Sequence, residues 1–208
     1  LDTVAFAFEM MTSELRTVPF GAEGIQVDGS FHQHGSMLYN GGYGESFAGD
    51  LAHFAYVARG TQLFPADALS VLVDYVLDGT QWMIRGSTLD YSVTGRVFSR
   101  QHTSGNASYV QNLVRTLASL PDAPRREELQ AFLARLAGAG EPLTGNRYFW
   151  TSDFMVHHRA GYYISVKASS DRTLATEIGN YENLKGHHLG DGMMFIMRSG
   201  REYDNAFP

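Results

Sequence analysis

Two side chains nine residues apart, His34 and Tyr43, are the pair in this chain best suited to moving a proton. A neutral imidazole and a phenol can each accept a proton, donate one, or orient a partner by hydrogen bonding. A free phenol titrates near 10, and bringing it toward neutrality by about three units asks for roughly 4 kcal/mol of phenolate stabilisation. One cation at about 4 Å, at an effective dielectric of about 20, supplies on the order of 4 kcal/mol. Arg96 and Arg100 are the candidate cations, and four residues of separation place them on one side of either a helix or a strand.

His34 and Tyr43 lie in the stretch 28–44, whose glycines and histidines interrupt any apolar period while aromatics recur throughout. It reads as an ordered functional loop rather than a packed element. Residues 28–34 read D-G-S-F-x-x-H, Tyr39 to Gly44 read Y-x-G-x-Y-G, and residues 95–100 read G-R-x-x-S-R. A third run holds Thr176, Glu177, Gly179, Asn180 and Glu182, then Lys185, Gly186 and a Gly190, Asp191, Gly192 turn. In this order and at these separations the motifs resemble polysaccharide lyase family 8, the hyaluronate, chondroitin AC and xanthan lyases. The resemblance spans nearly the whole chain.

The resemblance implies β-elimination at an acidic sugar with no required cofactor. In that family a uronate carboxylate is neutralised by Asn and His, a Tyr removes the C5 proton and protonates the leaving glycosidic oxygen, and Arg and Glu position them. Carried over, His34, Tyr43, Arg96 and Glu177 are the expected catalytic residues and Arg100 and Asn180 the expected substrate contacts. No residue ahead of His34 takes the part of the family's carboxylate-binding Asn, which lies well upstream. The implied partners are an acidic glycosaminoglycan and the remainder of a larger lyase, its preceding helices and following strands. The implied location is secreted or periplasmic.

The 208 residues, 44% hydrophobic and 18% charged, suffice for a sizeable core in one or two domains. The lack of cysteine rules out disulfides and thiolate metal sites. A net charge of −6 argues against nucleic acid, so an anionic glycan must be met by a local basic cleft around Arg96 and Arg100. No apolar run approaches the roughly 20 residues that span a bilayer.

Helical periodicity places apolar faces at Val4, Ala7, Phe8, Met11 and Leu15; at Leu51, Phe54, Ala55 and Ala58; and at Leu69, Leu72, Val73, Val76 and Leu77 behind Pro65. The last two pair as a hairpin, and a second hairpin follows over 106–120 and 125–137. The register turns to β after the Gly/Pro stretch 138–142, with strands expected over 148–150, 154–157, 162–167, 174–177 and 193–197. With the family's fold, this reads as an α+β multidomain chain. Residues 1–140 would be the closing part of an incomplete α/α toroid, and 146–208 the first strands of an antiparallel β-sandwich.

Two other chemistries compete. A His-ligated metal enzyme could draw on His32, His34, His157, His158, His187 and His188, the last two pointing to opposite sides of a strand. A glycan-binding module without turnover would need the carboxylate donors but no proton shuttle. A glycosidase pairing Asp28 with Glu177 would leave Tyr43 and His34 without a role.

Overall fold

The computed structural model describes residues 2–100 and 105–204. Residues 101–104 and the last residues of the expected sandwich segment, 205–208, lie outside the described residues.

The order is helical, then β. Helix α1 (Asp2–Thr12) leads into short paired strands β1 (Gly24–Ile25) and β2 (Phe31–His32), then α2 (Tyr43–Val57) and α3 (Ala66–Asp74). A π turn (Tyr75–Gly79) and a 3₁₀ turn (Thr80–Met83) prolong α3 into a second small hairpin, β3 (Ile84–Arg85) and β4 (Thr88–Leu89). Helices α4 (Ser108–Ser119) and α5 (Arg126–Leu136) complete the helical part. In α4, Val110, Leu113, Val114 and Leu117 recur at helical spacing and all are buried. Helix α2 packs chiefly on α4, so consecutive hairpins interlock rather than stand apart.

The first apolar stripe behaves differently from expectation. Of α1, Phe8 alone is buried, meeting Phe54 edge-on at 6.1 Å, while Val4, Phe6 and Met10 are about half exposed. Among the described residues no element covers the other side of this helix.

Strands β5 (Gly145–Phe149), β6 (Phe154–Arg159), β7 (Tyr162–Ala168) and β8 (Asp191–Met197) form one antiparallel sheet in sequence order. Trp150 falls just past β5. The expected strand 174–177 does not form. Its backbone makes a single bridge, Leu174 to Met37, and the segment belongs to a long connection, 169–190, between β7 and β8. The pair His187 and His188 sits in a 3₁₀ turn (Gly186–Gly190) rather than a strand.

The alternation in β7 is inverted relative to a simple apolar-in sheet. Tyr163, Ser165 and Lys167 face the helical part and are buried, whereas Ile164 and Val166 lie on the other face. The inward polar set has partners waiting. Tyr163 and Ser165 donate to the fully buried carboxylate of Asp90, and Lys167 Nζ donates to the carbonyls of Ser152 and Ala168 at 2.9 and 2.5 Å. Asp28 accepts from the Thr151 backbone and hydroxyl at 2.7 and 2.8 Å, and His32 Nε2 meets Ser152 Oγ at 2.8 Å. Phe149, Phe154, Phe195 and Met197 join the same apolar core as Leu72, Met83 and Val114. Sheet and helices are thus fastened by both hydrophobic contact and satisfied buried polar groups.

Candidate active site

The stretch 28–44 is more packed than its composition suggests. Ser30, Phe31, His32, Leu38, Tyr39 and Asn40 are all buried, and Tyr43 is the first residue of α2 rather than part of a loop. Asn40 explains much of this order. Its Oδ1 accepts from the Phe31 amide at 2.8 Å and its Nδ2 donates to the Gly29 carbonyl at 3.1 Å, closing the stretch on itself.

His34 sits at the apex of a tight turn. Backbone bonds Gln33 to Met37 and Tyr39 to Phe31 form the stem, and His34 takes a left-handed φ of 58° just before Gly35. Glu23 clamps the apex, accepting from Gln33 Nε2 at 2.6 Å and from the Gly35 amide at 3.0 Å. The imidazole is thereby carried out of the core, its side chain 42% exposed.

Glu177 is the hub. Its Oε1 lies 2.8 Å from His34 Nδ1 and accepts from Arg96 at 2.5 Å, while its Oε2 accepts from the Tyr39 hydroxyl at 2.8 Å. Burial works to raise this carboxyl, but the hydrogen bonds from Tyr39, Arg96 and His34 outweigh it and hold the group below the usual range. An ionised carboxylate only accepts, so the proton in the His34 contact belongs to Nδ1, and Nε2 is left for an incoming group.

Arg96 lies on a 3₁₀ turn (Gly95–Ser99), neither the helix nor the strand considered from its spacing to Arg100. Its guanidinium hydrogen-bonds Glu177 and Glu182, and it is raised above its ordinary value by the neighbouring Tyr43 phenol first and by Glu177 next. Arg100 grips Glu182 with two bonds, at 2.7 and 2.9 Å. The rings of His34 and Tyr43 meet at 5.1 Å, and those of Tyr39 and Tyr43 at 4.9 Å, both edge to face.

Two glycines make this fit possible. Gly95 has φ 55°, and a Cβ there would enter the Tyr39 ring. Gly42, at φ 75°, caps α2, and a Cβ would stand 2.8 Å from the same ring. Both positions need the left-handed backbone and the missing side chain at once.

The structure therefore brings His34, Tyr43, Arg96, Arg100 and Glu177 into one cluster. Asn180 is nearby in sequence but not bonded into it. It forms the turn between Gly179 and Glu182 with Tyr181, both at left-handed φ (52° and 63°), and points into solvent beside a 96% exposed tyrosine. Glu177 is not at a strand end, while Asn180 does lie in a turn. Tyr39 and Glu182 are site residues that spacing alone missed. The first tyrosine of Y-x-G-x-Y-G and the second carboxylate of the 176–183 run were the available signals.

The histidines do not converge. His32 is bonded to Ser152, His158 to the Trp82 carbonyl, and His188 to Asp191. Among the described residues no three His, Asp or Glu side chains are grouped to hold a metal ion. Asp28 is buried against Thr151, away from any position beside Glu177 where two carboxylates could flank a bond. No helix among the described residues is long and apolar enough to cross a membrane.

Comparison with known proteins places the fold in a family. Residues 2–135 match the N-terminal alpha-helical domain of polysaccharide lyase family 8, and residues 144–208 match that family's super-sandwich domain. A chondroitinase-AC of Pedobacter heparinus is 33% identical over 191 residues, covering 89% of this chain and 27% of the relative. A hyaluronate lyase, HylB, of Enterococcus faecalis is 25% identical, covering 84% of this chain and 21% of its own length. A solved chondroitinase AC lyase, studied as oligosaccharide complexes, superposes with a TM-score of 0.89 at 29% identity, over 97% of this chain and 30% of that one. The fold, helices of an α/α toroid followed by an antiparallel sheet, is common to both. The chain spans under a third of the length of these relatives, and it belongs to polysaccharide lyase family 8.

Proposed function

We propose that the protein carrying this chain is a lyase that cleaves uronate-containing glycosaminoglycan of the chondroitin or hyaluronan type by β-elimination. The observation that carries the reading is the Tyr43 phenol beside Arg96 and edge-on to the His34 ring at 5.1 Å, with His34 Nδ1 fixed on Glu177. Relatives named chondroitinase-AC and hyaluronate lyase support the substrate class. The name of neither fixes which glycan this protein takes.

In this reading the uronate carboxylate meets His34 Nε2. Because Nδ1–H is already given to Glu177, the ring donates at both ends only as imidazolium, and its charge neutralises the carboxylate and acidifies C5–H. Tyr43 takes the C5 proton, the electron pair forms the C4–C5 double bond, and the glycosidic C4–O bond breaks toward oxygen. Tyr43 then returns its proton to the leaving oxygen. Tyr43 acts as the phenolate and is the neutral phenol between these two transfers; Arg96 stabilises its negative charge before the first and after the second. Glu177 holds Arg96 and His34 in place, and Arg100 and Asn180 face the sugar chain. This sequence of steps uses no metal or cofactor, and a location outside the cytoplasm suits a polymeric substrate.

The test is Tyr43→Phe in the full-length protein, following the ultraviolet absorbance of the unsaturated uronate product. Turnover should fall at least about a hundredfold, the usual worth of a general acid–base, with substrate affinity kept. Substantial remaining turnover would remove Tyr43 from the role. Activity lost to a chelator and restored by zinc would favour the His-ligated metal chemistry instead.

A further inference from the structure

A cavity of about 320 Å³ lies where the β3–β4 hairpin and α5 meet the β6–β7 turn, and it shares no residue with the His34–Tyr43–Arg96 cluster. Arg85, Arg135 and Arg198 line it together with His158 and Gln81. In a chain with 22 acidic residues against 16 basic ones, three arginines would ordinarily find carboxylates. Among the described residues these three form no ion pair. Arg85 donates to the carbonyls of Arg198, Arg159 and Ala160 at 2.8, 3.2 and 2.9 Å. Arg135 donates to Gln81 Oε1 at 2.7 Å and lies over the Phe132 ring. The Arg198 side chain is exposed and makes no hydrogen bond among the described residues.

The nearest carboxylate is already committed. Glu202 accepts from the amides of Arg198, Ser199 and Gly200 at 2.9, 2.7 and 2.9 Å and acts on Arg85 only through space. Burial lowers both Arg85 and Arg135 from their ordinary values. His158, buried behind them, is lowered to about 4 by burial first and by these two cations next, so it adds no charge at neutral pH. The cavity thus concentrates three positive charges, offset only in part by Glu202, in a half-buried recess, where salt screens them less than on an open surface.

We propose that this cavity binds a small oxyanion of the sulfate, phosphate or carboxylate class, with Arg135 and Arg198 donating to it and Arg85 fixed as the third cation. Planar guanidiniums with uncommitted N–H groups match the paired oxygens of such anions. The anion is either free in solution or borne on a glycan, and two titrations separate these sources.

Calorimetry of the full-length protein with sodium sulfate, against sodium chloride at matched ionic strength, should show saturable sulfate binding. A sulfated chondroitin oligosaccharide is titrated into the Tyr43→Phe protein with and without Arg198→Gln, so that binding at the catalytic cluster is subtracted; the Arg198-dependent part is tighter than free sulfate if the group is glycan-borne, and no tighter if the free ion is the ligand. Arg135→Gln and Arg198→Gln should each weaken the binding about tenfold, the scale of a lost charge-assisted hydrogen bond, while lyase activity is unchanged. Arg198 is exposed, so its variant folds even where that of Arg135 does not. Absence of saturable binding in both titrations, or undiminished affinity in Arg198→Gln, would overturn the proposal.

Discussion

His32 and His34 are two residues apart, Tyr39 and Tyr43 four apart, and both pairs divide in the same way. His32 and Tyr39 are almost wholly buried, whereas His34 and Tyr43 are about 40% exposed. His32 Nε2 and the Tyr39 hydroxyl are each committed to a fixed partner, Ser152 and Glu177. Burial lowers His32 to about 4 and, with the Glu177 hydrogen bond and charge, pushes the Tyr39 phenol up, so both stay neutral near pH 7. The exposed members keep an imidazole nitrogen and a guanidinium-held hydroxyl turned toward solvent. Identical side chains acquire opposite duties according to which wall of the stretch they stand on.

The largest expected consequence of that division is between the tyrosines. Tyr43→Phe should cost about two to four orders of magnitude in kcat, with the melting temperature unchanged. Equal loss of kcat in Tyr39→Phe, with stability intact, would erase the distinction. The histidines offer the next test, by pH. His32 and His158 are both lowered from 6.5 to about 4, so between these values the unfolded chain binds more protons than the folded one. Stability is therefore full above about 6.5 and declines as pH falls toward about 4, by on the order of 3 kcal/mol for each ring. Denaturant titrations across that range should show the fall, and His32→Asn should remove about half of it. A His34→Asn protein should keep the whole decline while losing turnover.

A smaller effect belongs to Tyr39. Its removal leaves Glu177 Oε2 buried without a donor, and Tyr39→Phe should lose about 1–3 kcal/mol in chemical denaturation with a modest fall in kcat. The smallest belongs to Arg100, whose forked grip on Glu182 is partly exposed. Arg100→Lys keeps the charge but not the fork, and steady-state kinetics should give a KM raised several-fold with kcat within about a factor of two.

The residues that can be read from sequence are those whose neighbours are local. The apolar stripes of α3, α4 and α5 and the strands β6 and β7 follow from near-neighbour spacing. The roles of Tyr39 and Glu182 were hidden because their partners are 138 and 86 residues away. The segment 174–177 has strand-like residues, but the side of β7 left open by β6 is paired with β8 instead. The inward face of β7 could not be chosen from its own pattern either, because Asp90 and the Ser152 carbonyl decide it. His34 and Tyr43 were legible through motif and spacing, but the pairing of His34 with Glu177 spans 143 residues.

That last separation sets an order of events during synthesis. Ribosomes deliver His34, Tyr39 and Arg96 well before Glu177, and domains generally fold as they emerge. Until the β7–β8 connection arrives, the early part of the chain holds a guanidinium and an imidazole with no acid between them. The hydrogen-bonded cluster is therefore incomplete in a partly made chain and closes only when the late-translated carboxylate arrives.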